Sequence, residues 1–259
     1  GYDPYHFNAP EGSYASDAAD GGKRVVEFRQ LVMALHKAGL RVGMDVVYNH
    51  TTTSGQKDSS VLDRIVPGYY QRLDANGVVE RSTCCDNTAT EHLMMGKLML
   101  DSVELWARQY RIDSFRFDLM GHQPRAAMEL LRTRVNASTG RDVNLIGEGW
   151  NFGEVADGRR FVQASQLSLN GSGIGTFSDR TRDAVRGGGP SDSGQALVEQ
   201  QGYINGLVYD RNEYAPARPL SDLMQAADLV RVGLAGSLRD FTLDTYQGST
   251  SRLDAIDYK

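Results

Sequence analysis

The chain has 259 residues, 40% of them hydrophobic and 24% charged, which is enough for one large α/β domain or two small ones. Its formal net charge of −5 argues against nucleic acid as the main partner, since phosphate binding needs a concentrated basic face, and it is compatible with an uncharged substrate. No apolar run approaches the roughly 20 residues of a membrane span, so no membrane segment is predicted in this chain.

The sequence opens GYDPYHFNAPEG, with no initiator Met and no basic-then-apolar leader. It reads as a mature or truncated chain whose start says nothing of localisation. Val25, Phe28, Val32 and Leu35 fall at helical spacing, and Gly39 offers the stop. A strand pattern follows over 41–48, with Val42, Met44, Val46 and Val47. A long irregular stretch, about 51–90, holds both cysteines, the adjacent Cys84 and Cys85. Neighbours in sequence close only a strained eight-membered ring, so a vicinal disulfide and a pair of reduced thiols both stay open. Two such ligands are too few for a structural zinc site.

The next helix is predicted near 91–109, where Met95, Met99, Val103 and Trp106 form one stripe. A second strand covers 112–118. Pro124 suits a helix start, with Met128, Leu131 and Val135 on one face. A third strand covers 143–148, and a shorter apolar run at 174–177 makes a fourth. Beyond it lie a glycine-rich loop, RGGGPSDSG, and a last helix near 221–238.

Repeated strand–helix units predict a parallel sheet, closed as a barrel or open and doubly wound. No GxGxxG or Walker-type loop opens any of these helices, which weakens the nucleotide-binding version. What remains is a barrel with its chemistry at the C-terminal ends of the strands. Three strand ends carry polar groups there: MDVVYNH (44–50), FRFDLMGH (115–122) and IGEGW (146–150). Glycoside hydrolysis needs two carboxyl groups flanking the scissile bond. Asp118 and Glu148 lie one strand–helix–strand unit apart, so they are expected to face one another from adjacent strands. Arg116, two residues before Asp118, shares its face. The guanidinium suits an ionised nucleophile at 118, whereas an acid at 148 has to hold its proton.

These motifs resemble those of the alpha-amylase superfamily. DVVYNH matches the superfamily's first short motif, with Asp45, Asn49 and His50 in the corresponding places. FRFDLMGH matches the second, which implies Arg116 as its arginine and Asp118 as the nucleophile. GEGW matches the third, which implies Glu148 as general acid/base. GYDPYHFNAPEGSYA, STCCDNTATEH and GTFSDRTRDAVRGG look like type I pullulanases, over about residues 1–215 and more loosely beyond. The resemblance implies a (β/α)8 TIM-barrel catalytic domain present in part, about strands 3–6 over 1–259, with a loop insertion at about 51–90. It implies retaining hydrolysis of α-1,6-glucosidic links in pullulan, amylopectin and limit dextrins.

By the same match Tyr2 stacks under the sugar before the scissile bond, and His50 binds a sugar hydroxyl. Asp45 and Asn49 order the site. Trp150, taken as substrate-binding, lines the glucan groove with His122 and Asn151 or serves the structure there; both readings stay open. No cofactor is required; Asn49 lies where some amylases bind calcium, so calcium stays open. The family's His-Asp pair after strand seven, a third catalytic carboxylate, has no match after Glu148. The sequence alone therefore leaves two other readings: isoamylase or another α-glucan hydrolase or transferase, and an inactive or glucan-binding fragment.

Overall fold

The computed structural model describes residues 2–235, 242–244 and 250–252, which fall into two compact units, 1–177 and 178–259. In the first unit, α1 (Gly21–Lys37) starts at Asp20, whose carboxylate accepts from the N–H groups of Gly22 and Lys23. It stops at Gly39, in the left-handed region at φ 79°. β1 (Gly43–Val46) follows, then the short β2 (His50–Thr51), the single turn α2 (Leu62–Ile65) and β3 (Asp86–Asn87), which pairs antiparallel with β2. After α3 (Leu93–Gln109) come β4 (Ser114–Phe117), α4 (Arg125–Thr139), β5 (Asn144–Gly147) and β6 (Gly175–Thr176).

β1, β4, β5 and β6 form one parallel sheet in that order, each strand beside its successor. The two crossover helices are explained by their apolar stripes. Met95, Met99, Val103 and Trp106 of α3, and Met128, Leu131 and Val135 of α4, are all buried. All but Met95 join Phe115, Phe117 and Leu145 in one core, so this face of the sheet is covered. Trp106 sends its indole N–H to the Phe7 carbonyl at 3.0 Å, which holds the N-terminal segment onto the same core. α1 lies further out: of its residues only Val32 is buried, while Val25 and Phe28 are partly so.

Because strand side chains alternate, the other face of the sheet carries a different set. Register pairs Asp45 with Arg116 and Arg116 with Ile146, so these three form a row across three strands. Asp118 and Glu148 sit two residues further on in the same phase. The ladder continues to them, Asp118 N–H donating to the Val46 carbonyl at 2.9 Å and Glu148 N–H to the Phe117 carbonyl at 3.1 Å. The observed strands are shorter than the sequence pattern predicts because the chain turns into this polar row before its apolar run ends. Val47 and Tyr48 are buried, yet lie beyond β1.

In the second unit, α5 (Asp179–Arg186) and α7 (Leu220–Leu234) pack around Ala184, Leu207 and Ala226, with the short α6 (Gln195–Glu199) between them in sequence. A Cβ built at Gly233 would overlap Thr181 Oγ1, so the glycine is what lets the two helices approach. The glycine-rich stretch predicted as a loop follows α5 directly, with Gly187 and Gly188 at positive φ. β7 (Thr242–Asp244) and β8 (Thr250–Arg252) make an antiparallel pair. Residues 236–238 of the predicted last helix and the terminal Asp257–Lys259 lie outside the described residues. Among the described residues, no helix is long and apolar enough to cross a membrane.

Candidate active site

One guanidinium organises the carboxylates at the strand ends. Arg116 Nη1 donates to Asp45 Oδ1 at 2.9 Å and to Asp118 Oδ1 at 3.2 Å, and Nη2 lies 2.9 Å from Glu148 Oε1. Nη1 also meets the Tyr2 hydroxyl at 2.7 Å, and that hydroxyl lies 3.1 Å from Asp118 Oδ1 and 3.3 Å from Asp45 Oδ1. Five of the sequence-predicted residues thus meet at one centre, on the uncovered face of the sheet. Burial opposes the charge on Arg116, but hydrogen bonding to Asp45 and the charges of Glu148 and Asp45 more than compensate and hold its pKa above the ordinary value. Burial, then the neighbouring Asp118 and Asp45 carboxylates, push the Tyr2 phenol up.

The backbone aims these groups. Leu119, the residue after Asp118, sits in the left-handed region at φ 40° and ψ 50°, a strained conformation for a branched side chain. That turn directs its N–H at Glu148 Oε2, 2.9 Å away. On the other side Asn49, buried, donates through Nδ2 to the Asp118 carbonyl at 2.8 Å and to its Oδ2 at 2.9 Å. Asn49 Oδ1 faces His50 Nδ1 at 2.5 Å, and His50 Nε2 lies 2.9 Å from Asp3 Oδ1. Both ends of the Asn49 amide are engaged within the site, an arrangement that offers a hard cation little. Asp3 is a member of the cluster that sequence reasoning missed; its only signal was its place in GYDP.

Three glycines bring bare backbone together around Glu148. A Cβ at Gly121 would stand 2.2 Å from the Trp150 carbonyl oxygen. One at Gly147 would stand 2.7 Å from the Phe117 carbonyl oxygen, and one at Gly149 2.8 Å from Gln166 N. Gly121 N–H donates to the Glu148 carbonyl at 2.9 Å. Trp150 is half-buried beside this junction and, among the described residues, makes no hydrogen bond to the carboxylate cluster. Asn151 is used locally, exchanging two bonds of 2.8 Å with Asp157.

The irregular 51–90 stretch is anchored by a buried ion network. Arg72, 1% exposed, grips Glu91 through Nε at 3.0 Å and Nη2 at 2.8 Å, reaches Glu154 Oε1 at 2.9 Å, and donates to the His122 carbonyl at 3.0 Å. Its guanidinium stands over the Phe161 ring. Asn87 donates to Glu154 Oε1 at 2.9 Å and Ser82 to Oε2. Since Ser82 gives its one proton to Glu154, His122 Nε2 is assigned as the donor to Ser82 Oγ at 3.0 Å. His122 is therefore part of this brace, buried against Phe152, rather than a lining of an open groove. Burial lowers its pKa to about 4. Burial works the other way on Glu154, yet the bonds from Ser82, Arg72 and Asn87 prevail and push it down to about 2. The brace carries Cys84 and Cys85, joined as a vicinal disulfide, to within 3.6 Å of His50 Nε2 at Cys84 Sγ.

Chemically, the centre presents two carboxylates on neighbouring strand ends, bridged by one cation, with a phenol above them and open to solvent.

No family model matches the chain. In sequence it is 49% identical over 263 residues to a pullulanase of Klebsiella aerogenes, covering 100% of this chain and 23% of that protein. It is 44% identical over 259 residues to the chloroplastic pullulanase 1 of Arabidopsis thaliana, covering 96% of this chain and 26% of that protein. In structure it is similar to ligand-free PulA from Klebsiella pneumoniae, with a TM-score of 0.93 at 48% identity, covering 100% of this chain and 24% of that one. The maltotriose complex of PulA from Klebsiella pneumoniae matches at the same TM-score of 0.93. The chain thus spans about a quarter of the length of the curated relatives it matches.

Proposed function

This chain belongs to the pullulanase family, corresponding to about a quarter of its relatives' length, and we propose that it carries part of the catalytic centre of an α-glucan debranching hydrolase. The four parallel strands are read as strands 3–6 of a (β/α)8 barrel, the uncovered polar face being the barrel interior. The substrates are α-1,6-linked: pullulan, amylopectin and limit dextrins. The observation that carries the reading is the Arg116 bridge, which draws Asp118 and Glu148 to one centre from adjacent strand ends.

In the proposed mechanism Glu148 protonates the glycosidic oxygen while Asp118 attacks the anomeric carbon. The leaving chain departs with that proton, and a glycosyl ester remains on Asp118. Glu148 then takes a proton from water, whose oxygen displaces Asp118 with overall retention. Arg116 and Asn49 hold Asp118 in line, Asp45 positions Arg116, and the Tyr2 ring offers a stacking surface to a sugar. His50 would bond a sugar hydroxyl. The maltotriose complex of the Klebsiella pneumoniae protein supports an α-glucan as the bound class.

The test is Asp118→Asn in the full-length protein, read as reducing-end release from pullulan with analysis of the product anomer. Turnover should fall by at least about 10⁴-fold while glucan binding survives. Residues 1–259 alone, which contain no His-Asp pair after Glu148, should fall far short of the full-length protein. Products cut only at α-1,4 links, or full turnover in the Asn variant, would overturn the reading.

A further inference from the structure

We infer that reduction of the Cys84–Cys85 disulfide creates a site for a zinc-like divalent cation, with Asp3, His50, Cys84 and Cys85 as its four ligands. One donor atom from each of these residues already lies within 4.8 Å of every other. Two thiolates, an imidazole and a carboxylate form the borderline-soft, four-coordinate set that zinc favours over calcium or magnesium. Bonds of about 2.3 Å to sulfur and about 2.0 Å to nitrogen or oxygen imply tetrahedral ligand-to-ligand distances of about 3.3–3.8 Å. The structure has Cys84 Sγ 3.6 Å from His50 Nε2 and 3.9 Å from Asp3 Oδ1, with Nε2 2.9 Å from Oδ1. These three spacings need shifts of a few tenths of an ångström, and the two sulfurs, bonded to each other when oxidised, part to about 3.8 Å once reduced.

The hydrogen bonds of His50 are a second, independent argument. Asn49 Nδ2 is committed to Asp118, so Asn49 presents its oxygen to His50 Nδ1, which must then be the donor. That fixes Nε2 as the nitrogen facing Asp3 and Cys84. In this tautomer the ring nitrogen able to ligate a metal ion faces Asp3 Oδ1 at 2.9 Å and Cys84 Sγ at 3.6 Å. An imidazole whose other N–H is held by an oxygen acceptor is also the usual arrangement of a metal-bound histidine. Cys84 is exposed and Asp3 only half-buried, so reductant and metal both have access. The site touches the catalytic centre through a relay of two hydrogen bonds, from His50 to Asn49 to Asp118.

The chemistry balances with a phosphine reductant. The phosphine and one water take the disulfide to two thiols, the phosphine leaving as its oxide. Binding of M²⁺ then releases the protons of the two thiols. The experiment uses the full-length protein, reduced with a water-soluble phosphine, desalted without oxygen and titrated with Co²⁺. One Co²⁺ per chain should bind with a dissociation constant on the order of micromolar and an intense thiolate-to-cobalt charge-transfer band, and Zn²⁺ should bleach it. Oxidised protein, and a folded Cys84→Ser/Cys85→Ser variant kept under reductant, should both lack the band. The same spectrum in oxidised and reduced protein, its persistence in the double variant, or no band in reduced protein would overturn the assignment. The oxidised-against-reduced comparison needs no variant, so a folding failure of the double variant leaves the test intact.

Discussion

Replacing Arg72 by Met should destabilise the protein by about 3 kcal/mol. The side chain is 1% exposed and makes four hydrogen bonds, two to Glu91, one to Glu154 and one to the His122 carbonyl. Methionine keeps an apolar stem near Phe161 but removes the charge. Glu91 is 22% exposed and can take water in exchange, so its loss is small. Glu154 is only 7% exposed and keeps just Asn87 and Ser82 against its charge. Breaking a buried pair from one side costs about 3–5 kcal/mol, and the recovery at Glu91 places this case at the lower end. For a unit of this size each kcal/mol moves Tm by about 2–4 °C, so the transition should fall by about 6–12 °C. Calorimetry and urea unfolding of the full-length protein measure it. Adding Glu154→Gln should return about 2 kcal/mol of the loss, read as the coupling in a double-mutant cycle. A loss below about 1 kcal/mol for Arg72→Met, with no coupling to Glu154, would refute the idea that this network anchors the 51–90 stretch.

Arg116→Lys should lower kcat on pullulan by about 10²-fold while KM moves less than about threefold, because one ammonium cannot bridge Asp118 and Glu148 as the planar fork does; steady-state kinetics within about threefold of the parent in kcat would contradict this. Tyr2→Phe, which keeps the ring and removes the hydroxyl bonded to Arg116 and Asp118, should cost about fivefold in kcat and leave maltotriose affinity in place, as read by calorimetric titration. Stability should fall in acid in two stages. His122 is pulled down to about 4 from about 6.5, so the unfolded chain binds its proton first and stability declines as pH drops from about 6.5 toward 4. Glu154, pushed down to about 2, contributes stability that is complete above about 4.5 and lost as pH falls through about 2. Urea midpoints at pH 7, 5 and 3.5 check this, and Glu154→Gln should flatten the second stage while deepening the first, because the Glu154 charge holds the His122 pKa up.

Much of the frame is legible in the sequence because it is written in local periodicity. The stripes of α3 and α4 turn out to be their buried faces, and the strand segments MDV, FRF and LIG line up in register as alternation requires. The 51–90 stretch shows no period, yet it holds Arg72, one of the most buried side chains among the described residues. Its partners lie 19 and 82 residues away at Glu91 and Glu154, so no window of sequence could reveal them. The same holds for Cys84 and His50, 34 residues apart, whose proximity decides whether the cysteines are a lone pair or half of a ligand set. His122 shows the opposite limit: its motif position left a groove lining and a structural role both open, and burial beside Ser82 and Glu154 makes it a brace.

The glycines around Glu148 bear on how natural variation in such proteins is to be interpreted. At Gly121, Gly147 and Gly149 a single methyl would collide with main-chain atoms that cannot rotate aside. Those positions should stay invariant across descendants of this chain, and in a saturation library they should be as intolerant as the carboxylates themselves. A map of invariance would then draw one continuous patch over the strand ends and invite the view that every member contacts substrate. The coordinates separate two kinds of constancy within it. Asp118 and Glu148 offer a side chain to the proposed reaction, while the glycines are fixed because three backbones occupy the volume that any side chain would need.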